Sequence, residues 1–458
     1  MRRVGCIRRG WLPERLGRNS TPVGVQNLMV FAVERNDAGI QRPSRAFLLG
    51  IVAFYATLFI VFGCFSSSPK DIWNGLIRIL LTRDALLTDY IGIGGLGAAF
   101  VNAGLLALVA CAICHVLRAE VSGALLASLF LLLGFGLFGK NILNVWLIIG
   151  GVMIYAKFTN GPLAAYLPSA FFSCALAPVF SEILFSTAIP FRFSLPLAIG
   201  TSLLMGFVLP PASTQLFKAH AGFSLYNIGF SAGVVGILVV ALFKSYGFVP
   251  DPVMIWTSEN NHTLALFLTL LLATMLLGGF WIDRQSMGKF AMMIKQSGQA
   301  PTDFIAIAGI GATLVNMGLC GFLGLGYILL VGADVNGPTI GGILAIVGFG
   351  ALGKHPANIL PIILGVWFGS LAKPWQASDP SIILAALFGT TLAPIAGCFG
   401  WPWGIVAGFI HSSAALATSG IHAGLSLYNN GLAGGLVSAV LVPVILAVAS
   451  RRNSSKKP

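Results

Sequence analysis

A stretch of fourteen residues occurs twice in this chain. Residues 220–233 read HAGFSLYNIGFSAG, and residues 422–435 read HAGLSLYNNGLAGG. Nine of the fourteen positions are identical, and another pairs Ala232 with Gly434, which match in size. Each copy combines small residues with a Tyr-Asn pair at the start of a long apolar run. Such a stretch is a poor plain membrane span and predicts a polar site inside a membrane-embedded fold.

The duplication extends beyond this stretch. At an offset of 214, TDYIGIGGLGAAFVNAG (88–104) aligns with TDFIAIAGIGATLVNMG (302–318), and without a gap GFGLFGKNILN (134–144) aligns with GFGALGKHPAN (348–358). The tripeptide LAP at 176–178 then aligns with LAP at 392–394. A register kept over this length predicts two homologous repeats.

The composition places these repeats in a membrane. Hydrophobic residues make up 57% of the 458 residues and charged residues only 9%, whereas soluble domains carry about 25% charged residues. Many apolar segments approach the roughly 20 residues that a spanning helix requires. The alternating pattern of an outer-membrane barrel is absent, so the spans are predicted to be helices.

The predicted fold class is an all-α polytopic membrane protein with two repeats of about seven hydrophobic segments each. Seven spans per repeat would invert the second copy, and this is the favoured arrangement. Six spans with one re-entrant segment would make the copies parallel, so broken or re-entrant helices stay open. Pro178 and Pro394, aligned in the two copies, each predict a kink. The segment DIWNGLIRILLTRDALLTD (71–89) predicts an interfacial amphipathic helix.

The net charge of +13 concentrates at the ends of the chain. The predicted organisation is a basic segment (1–46), repeat 1 (47–243), a polar linker (244–261), repeat 2 (262–449) and a basic tail (450–458). Basic flanks stay in the cytoplasm, so the prediction is a multi-pass inner-membrane protein with both termini cytoplasmic. Flanking charge explains the basic N-terminus, so no nucleic-acid partner is expected.

Polar residues that occur in both copies are the candidate site. An unpaired polar group within lipid costs a few kcal/mol, so each needs protein, water or substrate as a partner. The lysines sit in GK turns, where they can either reach the membrane surface or attract an anion together with glycine amides. Interhelical hydrogen bonding is the competing interpretation for the others. The predicted pathway residues are Asn227, Asn429, Tyr226, Tyr428, Asn102, Asn316, Lys140, Lys354, His220 and His422.

Two further features lie outside the duplicated plan. Glu182 is an acid within an apolar run and aligns with Cys398, so a proton or cation role would belong to one repeat only. CAICH (111–115) fits a haem-attachment motif, but the second copy has Leu325 and Leu329 in place of Cys111 and His115. We therefore expect no cofactor and no metal site.

The duplicated FGK, LAP and HAG-SLYN-G elements resemble a family of bacterial integral membrane proteins of unassigned function, over roughly residues 45–450. The general plan is also similar to urea channels, in which two copies face each other across the membrane; their signature motifs are not evident in this chain. The first resemblance implies no catalytic or binding residues, and the second concerns architecture alone.

The sequence favours a membrane transporter or channel for a small polar solute or an anion, with its pathway between the two repeats. Few acids lie in the apolar segments, which argues against multiply charged cations. The expected partners are the solute and the lipid bilayer, and the sequence allows a homo-oligomer. The alternatives are a membrane-embedded enzyme using His220, His422 and Glu182, or a scaffold that transports nothing. The favoured reading is that the protein is not an enzyme, because its polar residues come in pairs.

Overall fold

The computed structural model describes residues 43–187, 189–250 and 254–454. Within these ranges the regular structure is helical, apart from two isolated bridges. Residues 1–42 of the predicted basic segment and residues 455–458 of the predicted tail lie outside the described residues. The predicted linker falls between the last helix of repeat 1 and the first helix of repeat 2.

The two repeats contain the same helices in the same order. The helices of repeat 1 are α1 (Arg45–Ser66), α2 (Pro69–Leu81), α3 (Tyr90–Gly94), α4 (Leu96–Val116), α5 (Gly123–Phe135), α6 (Trp146–Phe158), α7 (Leu163–Ser173), α8 (Ala177–Leu184), α9 (Phe191–His220) and α10 (Asn227–Ser245). Those of repeat 2 are α11 (Asn261–Ile282), α12 (Ser286–Met293), α13 (Phe304–Leu330), α14 (Gly337–Phe349), α15 (Pro356–Ala372), α16 (Pro380–Gly389), α17 (Ala393–Phe399), α18 (Trp401–Ile421) and α19 (Asn429–Ser454). Helix α13 corresponds to α3 and α4 together; Gly309 within it has a φ of 80°, close to the 86° of Gly95, which separates α3 from α4.

Ten stretches of the described chain are long and apolar enough to cross a membrane, five in each repeat. In each repeat one of these five is a broken pair, α7 with α8 and α16 with α17. The helices α5, α6, α14 and α15 are shorter, with 13 to 17 residues. A 13-residue helix is about 20 Å long, less than the roughly 30 Å of a hydrocarbon core. All seven predicted segments are therefore helical; the fifth is the broken one, and the third and fourth are shorter than a full span.

Homologous spans of the two repeats run antiparallel where they meet. Tyr55 of α1 lies within hydrogen-bonding distance of Thr274 in α11, and Phe62 of α1 stacks near Phe267 of α11, with ring centroids 4.4 Å apart. Residue numbers thus rise along α1 while they fall along α11. An odd number of spans per repeat also places the second repeat in the opposite orientation to the first. The repeats are therefore inverted, as the sequence favoured.

The short helices α5 and α14 form the centre of the molecule. All 13 residues of each are buried, because GALLASLFLLLGF and GPTIGGILAIVGF have no polar face to present to water. They too are antiparallel, since Gly134 packs against Gly341 while Gly348 packs against Ala127. This helix pair places the end of each repeat's GK turn beside the start of a helix from the other repeat.

The predicted kinks and the predicted amphipathic helix are both confirmed. Pro178 stands in the first turn of α8 and Pro394 in the first turn of α17, each directly after a short 3-10 turn. Helix α2 covers residues 71–81 of the predicted segment and buries Gly75 and Ile79 while exposing Trp73, whereas residues 82–89 form a loop rather than a helix.

Candidate functional site

The lysine of each GK turn forms its hydrogen bond with a tyrosine of the other repeat. Lys140 Nζ donates to the hydroxyl oxygen of Tyr428 at 2.6 Å, and Lys354 Nζ donates to that of Tyr226, also at 2.6 Å. Both lysine side chains are completely buried, so the alternative in which they reach the membrane surface is wrong. We call these four residues the lysine–tyrosine seam.

The surroundings of the seam leave its positive charge largely unbalanced. No carboxylate in the described part of the chain forms an ion pair with either lysine. Lys140 Nζ lies 4.9 Å from the centre of the Phe135 ring, and Lys354 Nζ lies 4.4 Å from that of Tyr226. Such contacts contribute about 0.5–2 kcal/mol each. The C-terminus of each central helix offers roughly half a negative charge.

Aromatic rings connect the two halves of the seam. The Phe388 ring centroid lies 5.5 Å from that of Phe135 and 6.4 Å from that of Tyr226. The aligned contact between Phe172 and Phe349 measures 5.6 Å. The two lysine environments therefore belong to one cluster at the interface between the repeats.

Asn102 and Asn316 hold the lysine turns rather than facing a cavity. The side-chain amide of Asn102 donates to the carbonyl oxygens of Gly136 and Lys140 at 2.7 and 3.0 Å. Asn316 makes the same two bonds to Gly350 and Lys354, both at 2.7 Å. Each asparagine thereby satisfies two carbonyls that the end of a central helix leaves free.

Replacing Asn316 with leucine should lower the free energy of unfolding by about 1–2 kcal/mol. Two buried carbonyls would lose their donor, and measured side-chain hydrogen bonds in membrane proteins contribute about 0.6–1.7 kcal/mol each. Unfolding in mixed micelles measures the effect. Thr269→Leu is the matched control, since its hydroxyl bonds only within its own helix and is exposed. Equal stability of the two variants would contradict this role.

Two buried acids that are not among the predicted site residues secure the other ends of the central helices. Asp303 accepts a hydrogen bond from the backbone N–H of Gly123, the first residue of α5. Asp89 does the same for Gly337, the first residue of α14. Each acid therefore caps a helix of the opposite repeat, where a negative charge is favourable. The alignment of these two aspartates was the signal that could have identified them.

The histidine and asparagine of each HAG-SLYN copy are partners of each other. His220 Nε2 lies 3.0 Å from Asn227 Oδ1, and His422 Nε2 lies 3.0 Å from Asn429 Oδ1. These pairs join the end of α9 to the start of α10 and the end of α18 to the start of α19. The stretch also binds the opposite repeat, because the N–H of Leu427 donates to the carbonyl of Ala175 at 2.9 Å.

A small cavity lies beside one half of the seam. Its volume is about 30 Å³, enough for about two water molecules. Asn429 lines it, whereas Asn227 does not. Residues of both repeats form its wall: Leu86, Leu87, Phe138, Ser381, Leu384, Phe388, Ala415, Ser419, Leu427, Asn429 and Asn430.

Part of the polar wall of this cavity comes from residues present in one repeat only, which the duplicated pattern does not indicate. Asn430 lines the cavity, and its Oδ1 lies 3.0 Å from Nε2 of the completely buried His411. The aligned residues in repeat 1 are Ile228 and Leu209. A histidine within an apolar run was the available signal.

The fold and the seam define an all-helical, multi-pass membrane protein made of two inverted repeats. A family model described as "Protein of unknown function (DUF1576)" matches residues 68–245 and 282–447, one region in each repeat. The chain belongs to this family. No curated protein and no solved structure shows significant similarity to it. The resemblance to an uncharacterised family is confirmed, and the similarity to urea channels gains no support.

Proposed function

We propose that the protein is a transporter or channel for small anions and small polar solutes, with its pathway along the lysine–tyrosine seam. The observation that carries this proposal is that Lys140 and Lys354 each bond a tyrosine of the other repeat, and that no carboxylate of the described chain pairs with either lysine. Buried charge inside a membrane protein is costly and usually serves function. An anion that entered the seam would supply the missing negative charge.

The cavity supports the same pathway. It lies between the repeats and borders the seam, since Phe138 and Leu427 are close in sequence to Lys140 and Tyr428. Polar repeat interfaces at broken helices are typical sites of transporters. We also propose that both termini face the cytoplasm, because ten spans return the chain to its starting side and the basic ends favour that side.

The enzyme alternative receives less support from the geometry. His220 pairs with Asn227, His422 pairs with Asn429, and Glu182 lies 3.7 Å from Arg83. The proposed acid and base groups thus have separate partners instead of a shared site. A scaffold would require neither a buried lysine pair nor a cavity at the repeat interface.

Flux measurements in liposomes test the proposal. Purified protein should increase chloride, nitrate or glycerol passage above that of protein-free liposomes. The double variant His411→Leu/Asn430→Ile installs the residues of repeat 1 and removes the Asn430 amide from the cavity wall. It should reduce passage about tenfold. The loss of one hydrogen bond to the solute costs about 1.4 kcal/mol, which corresponds to a factor of about ten. Passage of none of the three probes would contradict the proposed function.

A further inference from the structure

One buried carboxylate is not used by the seam. Asp84 lies in the loop between α2 and α3, outside the spanning helices, and only 1% of its surface is exposed. Its Oδ1 accepts a hydrogen bond from the Tyr90 hydroxyl at 2.6 Å, and its Oδ2 accepts bonds from Ser181 and Asn144, both at 2.9 Å. Asn141 adds a longer bond of 3.4 Å to Oδ2. All four donors are neutral, and no lysine, arginine or histidine of the described chain pairs with this carboxylate.

Repeat 2 shows that the fold does not require this cluster. Gly298 stands in the position of Asp84, Phe304 in that of Tyr90, and Gly397 in that of Ser181. The lysine turn nevertheless closes in the same way, because Asn358 donates to Gly353 at 3.0 Å just as Asn144 donates to Gly139 at 3.1 Å. The duplicated architecture thus forms without the carboxylate, which points to a role other than holding the repeat together.

The hydrogen bonds around Asp84 can accommodate both of its protonation states. Ser181 Oγ lies 2.9 Å from Asp84 Oδ2 and also 3.2 Å from the carbonyl oxygen of Pro178. When Asp84 is ionised, the serine hydroxyl donates to the carboxylate. When Asp84 takes up a proton, its Oδ2–H can donate to Ser181 Oγ, whose own hydrogen turns to Pro178. Tyr90 continues to donate to Oδ1, so no buried polar group is left unpaired by the change.

We propose that Asp84 is a proton-binding site that couples passage through the seam to a proton gradient. The coupling rests on the proposed function, whereas the proton site itself does not. Asp84 is joined to the seam by Asn141, which directly follows Lys140. It is joined to the cavity by its own loop, which contributes Leu86 and Leu87 to the wall. A neutral Asp84 makes the region more positive and favours an anion, so proton and anion move in the same direction.

The electrostatic surroundings are consistent with this assignment. Burial raises the pKa of Asp84 to about 7, although the hydrogen bonds from Tyr90, Ser181 and Asn144 act in the opposite direction. The other ionisable groups on the elements packed around it are Arg83, Asp89, Tyr90, Lys140 and Glu182. Arg83 lies near Glu182, and Lys140 is bonded to Tyr428, so neither cation pairs with Asp84.

Infrared difference spectroscopy of the full-length protein in liposomes tests the proton site without a substrate. A protonated-carboxyl signal should appear as the pH falls from 8 to 6, and its component with a midpoint near pH 7 should be missing in Asp84→Asn. It should persist in Asp71→Asn, whose carboxylate is exposed on α2. Ser181→Gly installs the residue of repeat 2 and should shift the midpoint of the signal to higher pH, since the ionised acid loses a hydrogen-bond donor. An unchanged signal in Asp84→Asn would overturn the inference.

Chloride uptake tests the coupling. The protonated fraction of a group with its midpoint near pH 7 rises about tenfold between pH 8 and pH 6, and wild-type uptake should rise by a similar factor. Asp84→Asn, which imitates the neutral acid, should take up chloride at the same rate at both pH values. A pH response retained in that variant would overturn the coupling. Absence of any wild-type flux, with the Asp84 signal present, would overturn the proposed function and leave the proton site standing.

Discussion

Replacing both Lys140 and Lys354 with methionine is expected to reduce chloride passage at least about 100-fold. This factor corresponds to about 2.8 kcal/mol. This energy is smaller than the attraction between two opposite unit charges 4 Å apart, which is roughly 4 kcal/mol at an effective dielectric constant near 20. The variant should still fold, because methionine has a similar length and needs no desolvation of a buried charge. Chloride efflux from liposomes measures the change.

Lys373→Met is the matched control for this experiment. Lys373 Nζ also bonds neutral groups, the carbonyl of Phe409 at 2.6 Å and the hydroxyl of Ser412 at 2.8 Å. Both partners belong to repeat 2, so Lys373 does not contribute to the interface between the repeats. Its replacement should leave chloride efflux within about twofold of wild type. Equal losses in the control and in the double variant would indicate damage to the fold and contradict a pathway along the seam.

Replacing Gly431 with leucine is expected to abolish the folded protein. A Cβ atom at this position would lie 2.8 Å from the Cα of Gly229. That contact is with backbone, which cannot yield unless α10 and α19 separate. Overpacking typically costs about 1–3 kcal/mol even where side chains can adjust, so a larger loss is expected where they cannot. The yield of monodisperse protein and its thermal midpoint measure the outcome.

Gly278→Leu provides the comparison for this variant. Gly278 lies in the spanning helix α11, and no atom would lie within 4 Å of a Cβ built on it. The same substitution should therefore leave yield and thermal midpoint close to wild type. Normal folding of Gly431→Leu would mean that the N-terminal parts of α10 and α19 do not touch, and the inverted packing of the repeats would have to be revised.

The symmetry of the molecule identifies residues that play the same structural role in both repeats. Asn102 and Asn316, or Asp89 and Asp303, make equivalent bonds in the two repeats and serve the central helices. Two residues that differ between the repeats are placed otherwise: Asn430 lines the cavity, and Asp84 contacts Asn141 next to Lys140. Duplication supplies the scaffold, and the departures from it give the two sides of the interface different chemistry.

The sequence alone determined the membrane class, the helical fold and the duplication, because hydrophobic length and repeated register are local properties of a chain. It also predicted the breaks at Pro178 and Pro394, since a proline acts on its own helix. Only the tertiary structure decided which repeat each polar residue serves. Lys140 bonds Tyr428 and Asp303 caps α5 because the central helices pack antiparallel, and no spacing along the chain reports that packing. The inverted contact between α5 and α14 turned aligned residues into partners across the interface.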